Sequence, residues 1–181
     1  MIISFGGISG SGKSNVAKKI ANALNWPYYD MGGLRRQMAL DQGITLAELN
    51  KQAETNPESD LTVDKYQANL GKTSDNFVIT GRTSWHFIPH SFKIFLDVEE
   101  NESAKRIIND QAHHEQGESY NSLEEAKTFL KKRQESDNLR YKKYFNIDVY
   151  DKKNYDLVVD TTNLNPEETF NVIMEAVKKK L

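Results

Sequence analysis

The chain has 181 residues, about the length of one globular domain. Its 24 basic and 26 acidic residues give a formal net charge of −2, without the basic excess of a general nucleic-acid or membrane-surface binder. It has no cysteine, which excludes disulfides, thiolate catalysis and cysteine-based zinc sites. With no signal-peptide pattern and no apolar run of about 18 residues, we expect a cytoplasmic protein with neither a nucleic-acid nor a membrane partner.

Five short apolar runs predict buried β-strands, at residues 2–5, 27–29, 77–79, 92–96 and 157–159. These runs do not alternate apolar and polar residues, and longer helical patterns separate them. That arrangement is typical of a parallel sheet covered on both faces. We therefore expect an α/β fold of three layers, with a five-stranded parallel sheet, in one domain over residues 1–181.

Local start signals predict the helices between the strands. Apolar residues three and four apart predict helices over 14–24 and, more briefly, 34–40. The pairs Thr45/Glu48 and Ser122/Glu125 have the spacing of capping boxes, opening helices over 46–54 and up to residue 145. Asn-Pro pairs at 56–57 and 165–166 predict two further helices, the first with Asn56 as its N-cap and an end near residue 70.

The strongest motif lies between the first strand and the first helix. It matches G-x-x-x-x-G-K-[ST], the phosphate-binding loop, or P-loop, and comprises Gly7, Ile8, Ser9, Gly10, Ser11, Gly12, Lys13 and Ser14. Backbone N–H groups of such a loop surround a polyphosphate, and the following helix directs its positive dipole end at the same anion. We expect Lys13 to reach the β- and γ-phosphates of the bound polyphosphate and the Ser14 hydroxyl to ligate Mg²⁺.

Two classes of P-loop protein do not fit the rest of the chain. A GTPase needs an Asn-Lys-x-Asp element, but the Asn50-Lys51 pair is followed by Gln52 and Ala53. A large ATP-driven motor needs a longer chain. A small kinase remains, and its chemistry requires several cations converging on the transferred phosphoryl group.

The arginines supply candidates for those cations. Arg82 follows the strand at 77–79 directly, where ligands bind in an open parallel sheet. Arg133, Asp137 and Arg140 are spaced four and three apart, so they share one helix face. That face is either a salt-bridge strip or a surface for a nucleotide's ribose and phosphate, and the spacing does not decide between them. Taken alone, Arg35 or Arg106 is more typical of a solvated surface.

Together these residues resemble the cytidylate kinase family, most closely its short, archaeal-type members. The resemblance covers nearly the whole chain. It is carried by the P-loop with residues 16–18, Gly32-x-x-x-Arg36-x-x-Ala39, Gly81-Arg82, Arg133-x-x-x-Asp137-x-x-Arg140-Tyr141, and the segment 155–161.

The resemblance implies transfer of a phosphoryl group from ATP, with Mg²⁺, to CMP or dCMP. A monophosphate-binding flap would span about 33–72, and a lid about 108–121. Carried over by position, Arg36, Arg82 and Arg140 would hold the acceptor phosphate, while Arg133 and Asp137 would face its ribose or the shared phosphate region. Arg106 would be a lid residue near ATP. The catalytic cations would be Lys13, Arg82, Arg133 and Arg140.

Three positions depart from the family pattern. Asp110 stands where a second lid arginine is expected, Thr83 where bacterial relatives carry an acid, and Thr80 where a carboxylate would precede the glycine. Base selectivity therefore stays open. Two alternatives stay open with it: a P-loop kinase for another small metabolite, and a nucleotide-binding regulatory module without turnover. We expect small-molecule nucleotides as partners, and a monomer or weak homo-oligomer.

Overall fold

The computed structural model describes residues 1–109 and 120–181. Within them lies one parallel sheet of five strands, in the order β2-β3-β1-β4-β5. The strands are β1 (Ile2–Gly7), β2 (Tyr28–Asp30), β3 (Phe77–Thr80), β4 (Phe92–Asp97) and β5 (Leu157–Asp160). All five apolar runs form strands, so the predicted parallel sheet is confirmed.

The helices surround this sheet. In chain order they are α1 (Lys13–Leu24), α2 (Met31–Asp41), α3 (Leu46–Ala53), α4 (Glu58–Thr73), α5 (Ser84–Phe87), α6 (Glu100–Ile108), α7 (Leu123–Phe145) and α8 (Pro166–Lys178). A 3₁₀ turn, Lys152–Asn154, precedes β5. No helix in the part of the chain that the structure describes is long and apolar enough to span a bilayer.

The local start signals place most helix ends correctly. Thr45 and Glu48 form the predicted capping box, and the Ser122 hydroxyl accepts a hydrogen bond from the Glu125 N–H. Two predictions need correction. Helix α2 begins three residues before residue 34, because Asp30 at the end of β2 takes the N-cap position. The N-cap of α4 is Pro57 rather than Asn56, whose side-chain oxygen accepts from the Glu58 N–H instead.

Helices α5 and α6 have no counterpart among the sequence predictions. Helix α5 is a single turn, too short to show a helical period. Helix α6 begins with the charged and polar residues of its first turn, and its buried positions are Ser103, Ala104 and Ile107. Two of those three are small, so the apolar stripe that would mark the helix is weak.

Two apolar clusters, one on each face of the sheet, hold helices against it, so the fold has three layers. On one face of the sheet, Ile3 and Phe5 of β1 pack with Ile20 of α1 and Ile173 of α8. On the other face, a second cluster joins strand residues to α2 and α4; its buried members are Ile2, Met31, Val63, Phe77, Ile79 and Ile88. Adjacent residues of β1 thus face opposite layers, and the sheet is covered on both sides as predicted.

The P-loop follows β1, the central strand, and lies at the carboxyl edge of the sheet. Strand β1 is flanked by β3 on one side and by β4 on the other. The loops that follow β3 and β4 therefore lie on either side of the P-loop. In open α/β sheets, ligands bind at this edge where strand order changes direction.

Candidate active site

The P-loop has backbone geometry that two of its glycines make possible. Gly7 has a φ of +125°, and a Cβ there would lie 2.1 Å from the Leu96 carbonyl oxygen of the neighbouring strand. Gly12 has a φ of +81° and directly precedes α1, with no atom within 4 Å of where its Cβ would stand. A side chain is excluded at Gly7 by the sheet and disfavoured at Gly12 by the left-handed backbone.

Lys13 opens α1, and its ammonium turns back over the loop. Its Nζ donates a hydrogen bond to the Ile8 carbonyl and lies 3.4 Å from Ser11 Oγ. Burial and the nearby charges of Arg82 and Arg133 lower the pKa of Lys13 well below its usual value. An ammonium held among cations in this way is suited to a polyanion, which would favour its charged form.

A cleft of about 590 Å³ lies beside this loop. The structure brings most of the predicted site residues to its walls: Ser9, Gly10, Ser11, Gly12, Lys13, Ser14, Arg36, Arg82, Arg106, Arg133, Asp137 and Arg140. Gly7 and Ile8 contribute through their backbone carbonyls, which accept hydrogen bonds from Arg82 and Lys13 respectively. Segments far apart in the chain thus meet around one cavity.

Arg82 lines this cleft and bridges the P-loop to α7. Its Nη1 donates to the Gly7 carbonyl and its Nη2 to Ser9 Oγ at 2.9 Å, both in the P-loop. Its Nε donates to Asp137 Oδ2 of α7, also at 2.9 Å. The guanidinium is therefore oriented by the P-loop on one side and by a carboxylate on the other.

Asp137 and Arg140 are both buried, with exposed fractions of 3% and 1%. Arg140 donates to Asp137 Oδ1 through Nη2 and to Asp60 of α4 through Nη1. Asp137 and Arg140 thus form the i,i+3 ion pair that the helical spacing allows, and it is buried in the wall of the cleft. Although burial alone would raise the pKa of Asp137, Arg82 and Arg140 hold it below its usual range.

Asp60 extends this cluster to α2. Its carboxylate also accepts from Arg35 Nη1, and Arg35 Nη2 donates to Asn50 Oδ1 of α3 at 2.9 Å. Arg35 is 8% exposed, so the solvated surface expected for Arg35 is wrong. We call Arg35, Asp60, Arg82, Asp137 and Arg140 the ion cluster. It connects the P-loop to α2, α4 and α7.

Arg36 also lines the cleft, near the carboxylate of Asp30. Its Nη2 is 3.4 Å from Asp30 Oδ2, at the carboxyl end of β2. Thr80 ends the adjacent strand β3, and its hydroxyl donates to Asp30 Oδ1 at 3.2 Å. A carboxylate that the sequence lacks at position 80 is thus supplied at the same sheet edge by residue 30.

Arg106 is held on α6, just before the range expected for the lid. Its Nε donates to Glu102 Oε1 at 2.9 Å, and its Nη groups donate to Thr161 and Thr162 at the end of β5. Most of the expected lid, including Asp110, lies outside the residues that the structure describes. The expected flap corresponds to α2, α3 and α4.

The sequence is similar to known proteins of one family. A model of the cytidylate kinase-like family matches residues 2–163. The chain belongs to this family. Among family relatives, a cytidylate kinase from Methanosphaera stadtmanae is 33% identical over 183 residues, 99% of each chain. One from Methanobrevibacter smithii is 34% identical over 98% of this chain and 99% of its own.

Solved structures show the same fold. A shikimate kinase from Bacteroides thetaiotaomicron superposes with a TM-score of 0.66 over 98% of both chains, at 14% identity. The chain thus has a P-loop kinase fold. Its family membership shows that it is a nucleoside monophosphate kinase.

Several residues that contact the lining of this cytidylate kinase-like site carry no functional signal in the sequence. Asp60 occupies the first turn of α4, where an acid is explained by the helix dipole alone. Tyr150, whose hydroxyl donates to Asp137 Oδ2, lies in a loop without any motif. Asp64, buried beside Thr83, also carries no local signal. Their contacts join residues far apart in the chain or separated by a loop, which helical spacing does not reveal.

Proposed function

We propose that the chain transfers the γ-phosphoryl group of ATP to CMP or dCMP, with Mg²⁺. The observation that carries this proposal is the meeting of the P-loop with Arg36, Arg82, Arg133 and Arg140 around one cleft. A P-loop by itself accounts for a nucleotide donor. The additional guanidinium groups fit a second phosphate, because their planar forks hold phosphate oxygens in a bidentate manner.

The donor end would be formed by the P-loop and α1. The backbone of residues 7–14 would surround the β- and γ-phosphates, with the N-terminus of α1 directed at them. Lys13 would leave its contact with the Ile8 carbonyl and bind phosphate oxygens. Arg106, held by Glu102 on the wall of the cleft, would lie near ATP.

The donor set fits a magnesium ion bound together with nucleotide. The structure shows no cluster of three or more His, Asp or Glu within residues 1–109 and 120–181 that could hold a metal ion by protein groups alone. Mg²⁺ characteristically uses one or two protein groups, substrate phosphates and water. Ser14 would be its direct ligand, with the Asp30 carboxylate nearby to orient its water. The ion would neutralise charge on the transferred phosphoryl group.

The acceptor end would be formed by the arginines and the flap. Arg36, Arg82 and Arg140 would hold the acceptor phosphate, and Arg133 and Asp137 would face its ribose or the shared phosphate region. The acceptor is already an anionic phosphate, so the reaction needs no strong general base. Positioning and converging cations would supply most of the acceleration, and closure of flap and lid would exclude water.

CMP is the acceptor that the relatives favour, since they are named cytidylate kinases. The test is ADP release measured with CMP, dCMP, UMP, AMP and GMP, each against an ATP-only blank. We expect CMP and dCMP to give the highest kcat/KM. Absence of turnover with every pyrimidine monophosphate would refute the proposal. Transfer to another small hydroxylated metabolite, or ATP binding without transfer to any acceptor, would establish one of the alternatives instead.

A further inference from the structure

Tyr150 lies outside every motif used above, yet it touches both partners of the Arg82–Asp137 ion pair. Its hydroxyl donates to Asp137 Oδ2 at 2.8 Å. The Arg82 guanidinium carbon lies 5.2 Å from the centroid of its ring, in a cation–π contact. One side chain thus contacts the carboxylate through its polar end and the guanidinium through its face.

The shared oxygen determines what this contact does. Asp137 Oδ2 accepts from Tyr150 and also from Arg82 Nε, while Oδ1 accepts from Arg140. With both oxygens bonded, the carboxylate plane has little freedom to rotate. Arg82 is then fixed at Nε and by the ring, so that its Nη groups face the Gly7 carbonyl and Ser9 Oγ.

The Tyr150 loop is itself anchored. The Tyr150 backbone N–H donates to Asp148 Oδ1 at 2.9 Å, which holds the turn after α7. Burial raises the pKa of Tyr150, so its hydroxyl keeps the proton that it donates. An anchored donor of this kind orients its acceptor as well as stabilising the fold.

We propose that Tyr150 is a positioning residue for phosphoryl transfer, acting through Asp137 and Arg82 without touching the reacting atoms. The inference rests on the proposed function, in which Arg82 lies between the P-loop and the acceptor phosphate. A misdirected guanidinium would stabilise the transferred group less well, even with its charge intact.

The kinetic test is Tyr150→Phe, which keeps the ring and removes the hydroxyl. We expect kcat to fall about tenfold, with KM for ATP changed less than about twofold, because positioning acts on the transition state. The matched control is Tyr144→Phe, which also removes a tyrosine hydroxyl bond, one made to the Ala53 carbonyl away from the Tyr150 loop. Its kcat should stay within about twofold of the wild-type value.

A double-mutant cycle separates positioning from a general loss of stability. Arg82→Lys keeps the charge but lacks the Nε that Asp137 holds. In that background, Tyr150→Phe should change kcat less than about twofold, because the path through Arg82 is already broken. A full tenfold loss in that background, an unchanged kcat in the single variant, or an equal loss in Tyr144→Phe would each overturn the proposal.

A spectroscopic measurement tests the positioning role of Tyr150 without any phosphoryl acceptor. In ¹⁵N NMR spectra, the Arg82 Nε–H of the wild type should exchange slowly with water, and Tyr150→Phe should speed this exchange. Arg106, whose Nε–H is held by Glu102, is the internal reference and should not change. If no monophosphate is phosphorylated, the proposed function fails while this measurement still tests the positioning. An unchanged Arg82 signal would refute the positioning alone.

Discussion

Lys13 is the cation of the P-loop that, in the proposed function, binds the donor polyphosphate. We expect Lys13→Ala to lower kcat by at least about 100-fold, because it removes a cation that stabilises charge developing on the phosphoryl group. The fold should be retained, since the ammonium contacts only the P-loop itself, at Ile8 and Ser11, among the hydrogen bonds that the structure gives it. Steady-state kinetics together with circular dichroism checks both expectations.

The control for Lys13 is on the same helix. Lys19→Ala removes an ammonium that pairs on the surface with Glu167 at 3.0 Å, away from the cleft. Its kcat should match the wild type. Near-normal turnover in Lys13→Ala would contradict the assignment of the P-loop as the donor site.

Asp64 has an effect on stability that depends on pH. Burial raises its pKa to about 6, from an ordinary 3.8, and its Oδ2 has no hydrogen-bond partner. A raised carboxyl pKa means that the folded state holds the proton more tightly than the unfolded state does. This group therefore favours unfolding above about pH 6, by up to about 3 kcal/mol, and the penalty disappears as pH falls towards 4.

Asp64→Asn should reveal that penalty. The amide oxygen can still accept from Thr83 and Gln67, but no charge is buried. We expect the variant to unfold at higher urea concentration than the wild type at pH 8, and the difference to shrink between pH 6 and pH 4. The exposed Asp41→Asn should show no such trend. A constant difference across the pH range would contradict the assignment to Asp64.

Helices α2, α4 and α7 depend on one another through the ion cluster. Asp60, on α4, accepts from Arg35 of α2 and from Arg140 of α7, and it is 1% exposed. Truncating one partner of a buried charge network leaves the others without compensation, which costs more than an exposed pair is worth. The cluster therefore affects both stability and the placement of α2, α4 and α7 relative to one another.

Asp60→Ala should lower the free energy of unfolding by about 3 to 5 kcal/mol, because two guanidinium groups stay buried without their shared carboxylate. Urea denaturation followed by circular dichroism measures this. Asp75→Ala, which removes an exposed partner of the N-terminal ammonium, should leave the midpoint unchanged within error. Equal midpoints for the two variants would show that the cluster does not hold the helices together.

The helices and strands show what local sequence signals can predict. The five strands, the capping box of α3 and the Ser122 N-cap of α7 follow from residues adjacent in the chain, so the sequence predicts them. The shared face of Arg133, Asp137 and Arg140 follows from helical spacing. By contrast, Asp60 and Arg140 are 80 residues apart, and no periodicity joins them. Arg35 is expected on the surface for the same reason. Its partner, Asp60, lies on another helix, and no local pattern reveals it.

The molecule as a whole is nearly neutral, but its charge is unevenly distributed. Among the described residues, seven cationic side chains line the cleft beside the carboxylates of Asp30, Glu102 and Asp137; they are Lys13, Arg35, Arg36, Arg82, Arg106, Arg133 and Arg140. The cleft is therefore strongly basic, while the chain carries a net charge of −2. A basic cleft in an otherwise acidic surface concentrates anionic ligands locally and repels other polyanions elsewhere.

This distribution predicts how ligands should stabilise the fold. A bisubstrate compound that joins adenosine and cytidine through five phosphates would occupy the donor and acceptor ends together. Bound at 100 times its Kd, it should add about 2.7 kcal/mol of stability, or roughly 5 to 10 °C in Tm for a domain of this size. ATP alone and CMP alone, at equal concentration, should each give smaller shifts, because each fills one end.

Thermal unfolding in the presence of each ligand makes this measurement, with Lys13→Ala as the matched variant. We expect the variant to lose most of the shift given by ATP and by the bisubstrate compound, but to keep that given by CMP, because the proposed acceptor end comprises Arg36, Arg82 and Arg140 rather than Lys13. A bisubstrate shift no larger than that of ATP alone would mean that the arginines do not receive a second nucleotide. In that case the cleft would hold one nucleotide. A nucleotide-binding regulatory module without turnover would then explain the protein's function better than a kinase.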